Sequence, residues 1–242
     1  MTELLRLKDI SKHFAGLEVL KDVSFGVSEG EVLGLIGPNG AGKTTLFNIV
    51  SGSLRPSRGS VVFEGRETTR LPAHRLARLG IARTFQIPQP FEQMTVGENI
   101  RASSLFSGRS GRGRLPADSL ELCDMVGLHD KANQRAGSLS SSEKKRLEVA
   151  RALGTSPRLL LLDEFAAGLT VTEAAWASEM VKRLSREFGV AVVWTEHVMR
   201  VLMRSVDRVL VLQQGSVIAR GSPEEVVKDE RVLAAYFGGK AS

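Results

Sequence analysis

Two segments of the sequence carry residues that could bind and hydrolyse a nucleoside triphosphate. The first is GPNGAGKTT, in which Gly37, Gly42, Lys43 and Thr44 fit the pattern glycine, four residues, glycine, lysine, serine or threonine. In such a turn the backbone N–H groups converge on phosphate oxygens, the lysine reaches the β- and γ-phosphates, and the hydroxyl ligates Mg²⁺. The segment therefore predicts a site for ATP with Mg²⁺. The residues assigned to the nucleotide are Gly37, Pro38, Asn39, Gly40, Ala41, Gly42, Lys43, Thr44 and Thr45.

The second segment, LLLLDE, is an apolar run that ends in Asp163 and Glu164. A run of this kind predicts a fully buried parallel strand, and ligands collect at the carboxyl ends of such strands. Asp163 is placed to hold Mg²⁺ through water, and Glu164 to polarise the attacking water as a general base. Alone, the pattern usually marks only a solvated strand end; together with the glycine-rich turn it favours catalysis.

Local patterns show how these residues are positioned. Apolar residues 32–36 read as a buried strand before the glycines, and Leu46, Ile49 and Val50 have the spacing of a helix that packs on a sheet. The glycines therefore belong to a strand-to-helix turn. Pro157 ends a preceding helix and opens the strand of the acidic pair.

A third stretch, SLSSSEKKRLEVARAL at residues 138–153, resembles the signature segment of ATP-binding cassette proteins. Further matches follow in the order of that family: Phe14, Gln86 in ARTFQIPQPFEQMTVGENI, the loop AAGLT, and His197 in TEH. The resemblance covers nearly the whole chain. Together, ARTFQ, PFEQMTVGENI and the ending SPEEVVKDERVLAAYFG are most similar to ATP-binding subunits of branched-chain amino acid importers and their relatives for other polar solutes.

The resemblance implies a role for each matching position. Phe14 is expected to stack on adenine, which needs only an aromatic face. Gln86 is expected to sense the γ-phosphate through Mg²⁺ and the attacking water, while its loop touches a membrane partner. His197 is expected to contact the γ-phosphate and to hold Glu164 and water in line. From the residues alone, Phe14 could be an ordinary apolar residue at a strand end, and His197 a structural histidine.

The fold that the resemblance implies is α/β, with a P-loop NTPase core, a mixed sheet, an N-terminal antiparallel β layer and an α-helical subdomain. We expect one domain over residues 1–242. Residues 1–90 and 155–242 form its nucleotide-binding core with the β layer, and 91–154 its helical subdomain. Local patterns predict strands through Val23, Phe25 and Val27 and between Gly59 and Gly65, helices at 96–101, 117–126 and about 141–153, a hairpin at 209–219 and terminal helices from Pro223 to Tyr236.

The signature segment departs from the family, which usually has glycine and then glutamine where this chain has Ser142 and Glu143. In the family this segment faces the γ-phosphate of an opposite subunit, so that two cassettes enclose two ATP molecules. Backbone N–H groups and the Ser140 hydroxyl are expected to bind there. Ser142 adds a side chain and adopts positive φ less easily than glycine. Glu143 adds a negative charge, partly countered by the basic residues Lys144, Lys145 and Arg146.

We therefore predict a weakened composite site in trans; the alternative is that serine is simply tolerated. Two smaller departures put symmetric coupling between the two sites in doubt. Phe165 stands where proline commonly follows the glutamate, and Thr170 where aspartate or asparagine commonly ends the next loop.

Composition bounds these expectations. With 42% hydrophobic and 25% charged residues, the 242-residue chain can bury one large α/β core and a smaller lobe. The single cysteine, Cys123, excludes an intramolecular disulfide framework and favours a reducing compartment. No apolar run approaches membrane-spanning length, and MTELLRLKDISK lacks the apolar core of a signal peptide. We expect a peripheral protein on the cytoplasmic face of the cell membrane.

The net charge of +6 comes from dispersed residues without an aromatic-interleaved basic stripe, so no nucleic-acid partner is expected. The one local excess, Arg101 with Arg109, Arg112 and Arg114, is expected in a solvated, mobile loop of the smaller lobe, with anionic lipid contact as an alternative.

The favoured function is the ATPase subunit of a membrane importer, working as a homo- or heterodimer with transmembrane permease subunits and an external solute-binding protein. ATP-driven closure of the dimer would move the permease subunits between two states. An exporter or lipid-handling complex, and a soluble cassette acting on DNA or ribosomes, are the alternatives.

Overall fold

The structure is a computed structural model that describes residues 2–105, 115–116, 118–196 and 199–237. Its described residues form two β-sheets with helices packed around them. The strands are β1 (Glu3–Phe14), β2 (Leu17–Ser28), β3 (Val32–Ile36), β4 (Arg58–Phe63), β5 (Arg66–Glu67), β6 (Ile81–Arg83), β7 (Leu159–Asp163), β8 (Ala191–Thr195), β9 (Arg208–Gln213) and β10 (Ser216–Gly221). The helices are α1 (Lys43–Val50), α2 (Ala73–Leu79), α3 (Val96–Ser104), α4 (Ser119–Met125), α5 (Ser141–Gly154), α6 (Val171–Phe188), α7 (Met199–Met203), α8 (Pro223–Lys228) and α9 (Glu230–Phe237), with short 3₁₀ turns at His129–Lys131 and Ala136–Ser138.

The larger sheet has the strand order β10-β9-β3-β8-β7-β6. Strands β9, β3, β8, β7 and β6 run parallel, and β10 returns antiparallel to β9 as the predicted hairpin. Every residue of β3, β7 and β8 is buried, as expected of parallel strands that are covered on both faces. The mixed sheet expected from the sequence is confirmed, and the carboxyl ends of β3 and β7 share one edge.

Alternating residues of these strands enter two separate cores. Leu33 and Leu161 point to one core, whereas Val32 and Leu162 point to the other. The first core fills the space between the larger sheet, α1 and the antiparallel sheet β2-β1-β4-β5. The second lies beneath α3, α4, α5 and α6. The two-sided burial fixes the register of the central strands, because a slip of one residue would exchange the two faces.

The helical region between β6 and β7 is built by α3, α4 and α5, which pack against one another. Helix α5 matches the predicted signature helix closely. The predicted helix at 117–126 is observed as α4, although Ala117 and the Arg109–Arg114 stretch lie outside the described residues. Within the part of the chain that the structure describes, no helix has the length and apolar character needed to cross a membrane.

Candidate active site

The glycine-rich turn joins the end of β3 to the first residue of α1, as the sequence predicts. Gly42 has φ of +106° and is the N-cap of α1, so an L side chain there would be strained. A Cβ on Gly37 would lie 2.1 Å from the carbonyl oxygen of Leu212 on β9. Both glycines are therefore required by close packing, and the N–H groups of the first turn of α1 remain available for an anion.

Lys43 is folded back onto this turn. Its Nζ donates to the carbonyl oxygens of Gly37 at 2.7 Å and Pro38 at 3.1 Å, and the residue is 8% exposed. Burial lowers the pKa of the Lys43 ammonium, while the nearby carboxylates of Glu164 and Asp163 act in the opposite direction. The lysine is thus already beside both acids of the second segment.

Asp163 ends β7 with both carboxylate oxygens engaged. Oδ1 accepts from the hydroxyl of Thr195 at 3.0 Å, and Oδ2 accepts from Nη2 of Arg83 at 2.8 Å. Arg83 also donates from Nη1 to Oδ1 of Asn48 on α1 at 2.5 Å. Thr195, Arg83 and Asn48 were not among the residues predicted for the site. Arg83 had a weak signal, since it lies three residues before Gln86.

Glu164, the predicted general base, follows directly. Its φ of +49° lies in the left-handed region, which is unusual for a residue other than glycine and stores backbone strain. Its N–H donates to the carbonyl oxygen of Thr195 at 3.0 Å, which anchors this backbone to the end of β8. Gln86 donates from Nε2 to Oε2 of Glu164 at 2.6 Å. The structure thereby brings Gln86, Glu164 and Asp163 together at one sheet edge.

The signature segment begins α5. Ser140 is its N-cap: Ser140 Oγ accepts from the N–H of Glu143 at 3.4 Å, and the Glu143 carboxylate accepts from the Ser140 N–H at 2.9 Å. This is a capping box, a pattern that is readable from the sequence S-x-x-E. Ser142 lies inside the helix and is absent from the residues with positive φ among those described. The expected strain at Ser142 is therefore wrong, because the position is helical.

The cation that neutralises Glu143 is Lys131, with which it forms an ion pair. This pair lowers the pKa of the Glu143 carboxyl. The expectation that three following basic residues would counter this charge is wrong, because each has another partner. Lys144 pairs with Glu92, Lys145 donates to the carbonyl oxygen of Ala167, and Arg146 pairs with Glu173. The Glu143 carboxylate is therefore held at the N-terminus of α5 by Lys131 and the capping box.

The two further departures have structural roles. Thr170 is the N-cap of α6 in a capping box with Glu173. Phe165 is buried, and its ring packs against Trp176 with centroids 6.4 Å apart.

Phe14 lies at the end of β1, beside the turn that leads to β2, and is 45% exposed. Nζ of Lys12 lies 4.9 Å from the centre of its ring. An exposed ring at this turn is accessible to a stacking base. His197 lies outside the described residues, so its role stays a prediction.

The residues assigned to Mg²⁺ have donor groups suited to that ion. Thr44 is exposed in the first turn of α1, Asp163 supplies a carboxylate, and Gln86 supplies an amide. Mg²⁺ is usually bound by one or two carboxylates together with substrate phosphates and water. This donor set therefore fits an ion that is shared with nucleotide phosphates.

The fold and these contacts place the chain in the class of P-loop nucleoside triphosphatases. Its glycine-rich turn at residues 37–42, the phosphate turn, and its acidic pair lie at one edge of a parallel sheet. A family model described as ABC transporter matches residues 20–167, which is more than half of the chain. The chain belongs to the ABC transporter family, as an ATP-binding subunit, and is an ATPase. A second family model, described as branched-chain amino acid ATP-binding cassette transporter, matches residues 216–242.

Two relatives and one solved structure are similar to this chain over nearly its whole length. The high-affinity branched-chain amino acid transport ATP-binding protein LivG of Salmonella typhimurium is 36% identical over 249 residues, covering 97% of this chain and 98% of the relative. The lipopolysaccharide export system ATP-binding protein LptB of Acidithiobacillus ferridurans is 37% identical over 238 residues, covering 98% of each. The crystal structure of the ADP conformation of MJ1267, an ATP-binding cassette of an ABC transporter, superposes with a TM-score of 0.87 at 32% identity, covering 99% of this chain and 100% of that one.

Proposed function

We propose that this chain is the ATP-hydrolysing subunit of a membrane importer for branched-chain amino acids or a related polar solute. The observation that carries the proposal is the match of residues 216–242 to the branched-chain cassette model, beside the full-length likeness to LivG. Its partners would be transmembrane permease subunits, a second cassette and an external solute-binding protein. The chain would lie peripherally on the cytoplasmic face of the cell membrane.

Nucleotide binding would use the backbone and Lys43 of the phosphate turn, together with the ring of Phe14. The N–H groups of Gly40 and of residues 42–45 would donate to the phosphate oxygens at the positive end of α1. Lys43 would exchange the carbonyl oxygens of Gly37 and Pro38 for phosphate oxygens. Phe14 would stack on adenine, a contact that any purine face satisfies.

Hydrolysis would depend on Glu164 as general base for the attacking water. Bound Mg²⁺ would neutralise charge on the β- and γ-phosphates. Gln86 would position Glu164, because it already holds one oxygen of that carboxylate at 2.6 Å. His197 would hold Glu164 and the water in line with the γ-phosphate. The anchored backbone of Glu164 favours a carboxylate that is fixed before substrate arrives.

The signature segment would complete the site of a second cassette. Ser140 and Ser141 are exposed at the start of α5, so the Ser141 N–H and both hydroxyl groups could be reached by a partner's phosphate, whereas the Ser140 N–H is already bonded to Glu143. One of the reasons for expecting a weakened composite site remains, namely the added side chain of Ser142. Its hydroxyl lies 3.4 Å from that of Ser140, where the phosphate would approach. The side chain of Ser142 is therefore the feature that would weaken the composite site.

A second candidate function is supported by the similarity to LptB, which is named as part of a lipopolysaccharide export system. On this alternative the same ATPase cycle would drive an exporter or a lipid-handling complex. The nucleotide chemistry is identical in both cases, so the permease partner decides between them.

The test is transport by a reconstituted complex. The chain would be co-expressed with the permease subunits of a branched-chain amino acid importer, purified as a complex, and placed in liposomes with ATP enclosed. We expect accumulation of radiolabelled leucine that requires both ATP and the solute-binding protein, and that Glu164→Gln abolishes. ATP-dependent release of lipopolysaccharide to an acceptor, with no leucine uptake, would support the exporter instead.

A further inference from the structure

Arg83 and Asp163 form a buried ion pair at the carboxyl end of the sheet. Each side chain is 8% exposed, and Nη2 of Arg83 lies 2.8 Å from Oδ2 of Asp163. Strand β6 places the arginine there, because it runs parallel to β7 with Arg83 paired to Leu161. Guanidinium groups stay charged at any physiological pH, so this carboxylate already has a permanent counter-cation.

The same guanidinium contacts the two elements that surround the nucleotide. Its Nη1 binds Asn48 on α1, and its centre lies 5.7 Å from the ring of Phe47. On the other side it lies 5.4 Å from the ring of Phe85, the residue immediately before Gln86. Arg83 therefore joins the helix of the phosphate turn, the acid assigned to Mg²⁺ and the loop of Gln86.

We propose that Arg83 is a positioning residue that neutralises Asp163 in the nucleotide-free state, and that its guanidinium competes with hydrated Mg²⁺ for this carboxylate when nucleotide binds. A buried carboxylate without a partner is strongly unfavourable, so some cation is needed in the nucleotide-free state. A divalent ion brought to the same carboxylate would repel the guanidinium at close range. Arg83 thus raises the Mg²⁺ concentration that nucleotide binding requires. The inference rests on the proposed role of Asp163 in holding Mg²⁺.

Competition for Asp163 has a consequence for the Gln86 loop. Phe85 is 57% exposed, and the Arg83 guanidinium is a cation packed against its ring. When Mg²⁺ weakens the contact of Arg83 with Asp163, this support of Phe85 changes as well. The arrival of Mg²⁺ at Asp163 is in this way coupled to the position of Gln86, which holds the carboxylate of Glu164.

The experiment measures binding rather than turnover. A fluorescent, non-hydrolysable ATP analogue is bound to the intact chain while Mg²⁺ is titrated from an EDTA-buffered start, and the half-saturating Mg²⁺ concentration is recorded. For Arg83→Gln we expect this concentration to fall about tenfold, the size of effect that the loss of a close like charge gives. The melting temperature in EDTA is also expected to fall, and Mg²⁺ with the analogue to restore it more than in wild type.

Arg158→Gln is the matched control. Arg158 is 16% exposed and forms ion pairs with Glu29 and Glu64, but it lies before β7, at the opposite end of that strand from Asp163. Its loss is expected to lower stability without changing the Mg²⁺ requirement. If Arg83→Gln does not fold, Arg83→Met takes its place, because it keeps an extended side chain but removes the charge; the Mg²⁺ requirement is again expected to fall about tenfold.

Asp163→Asn distinguishes the proposed metal role of Asp163 from the proposed competition between Arg83 and Mg²⁺. If it raises the Mg²⁺ requirement while the Arg83 variants leave it unchanged or higher, the competition with Mg²⁺ is wrong and only the role of Asp163 survives. If Asp163→Asn itself has no effect on the Mg²⁺ requirement, the proposed metal role of Asp163 fails.

Discussion

Replacement of Gly37 by alanine tests the account of the phosphate turn most sharply. The new Cβ would lie 2.1 Å from the carbonyl oxygen of Leu212 and 3.1 Å from Cβ of Ala41. Since carbon and carbonyl oxygen approach normally to about 3.3 Å, the turn or β9 must move by about 1.2 Å. Strand β9 cannot move freely, because its hydrogen bonds to β3 hold it. Gly37 has φ of +155°, a region that favours glycine, so backbone strain of about 1–3 kcal/mol and overpacking of about 1–3 kcal/mol add to a loss of about 2–6 kcal/mol.

The control is Gly65→Ala. Gly65 also has positive φ, +73°, but an added Cβ would have no atom within 4 Å among the described residues, so only about 1 kcal/mol of strain is expected. Urea unfolding without nucleotide gives both free energies of unfolding, and binding of fluorescent ATP gives the affinity. Gly37→Ala should lose both stability and affinity, whereas Gly65→Ala should keep its affinity. Equal losses of about 1 kcal/mol in the two variants would refute the packing argument.

Three further changes have defined outcomes. Ser142→Gly should raise the ATP turnover of the proposed dimer at least about threefold, because it would remove the side chain from the place proposed for the trans phosphate; an unchanged rate means that serine is tolerated. Phe14→Ala should raise the KM for ATP about tenfold with little change in kcat, since base stacking is worth about 1–3 kcal/mol, and an unchanged KM would exclude stacking. Burial raises the pKa of the Cys123 thiol to about 11, so a disulfide reagent at pH 8 should meet about one thiolate per thousand chains and react only after denaturation; rapid reaction of the native chain would contradict its burial.

The sequence predicted those parts of the fold that local patterns determine. Strands β3 and β7 are visible as apolar runs because both of their faces are buried, and the phosphate turn is visible because close packing against Leu212 and Leu20 leaves room only for glycine at Gly37 and Gly42. The acids at the end of β7 follow from the same logic, since parallel strands end at one edge.

The contacts that depend on distant segments were not predictable in this way. Arg83 lies close to Gln86 in the sequence, but no local pattern shows that it will be buried against Asp163, because the pair forms only when β6 lies beside β7. The pairing of Lys131 with Glu143 likewise depends on how the turn at His129–Lys131 packs near α5. The error at Ser142 came from carrying over a glycine's conformation, although the capping box of Ser140 already predicts a helix there.

The most direct test of the central claim is ATP hydrolysis by the purified chain and its Glu164→Gln variant across protein concentrations, with gel filtration in Mg²⁺ and ATP. We predict that the wild-type rate per chain rises with protein concentration. The variant should bind ATP, lose at least about a hundredfold in rate, and accumulate as a dimer. A variant that hydrolyses ATP within tenfold of wild type, or that no longer binds it, would contradict the assignment of Glu164 as general base.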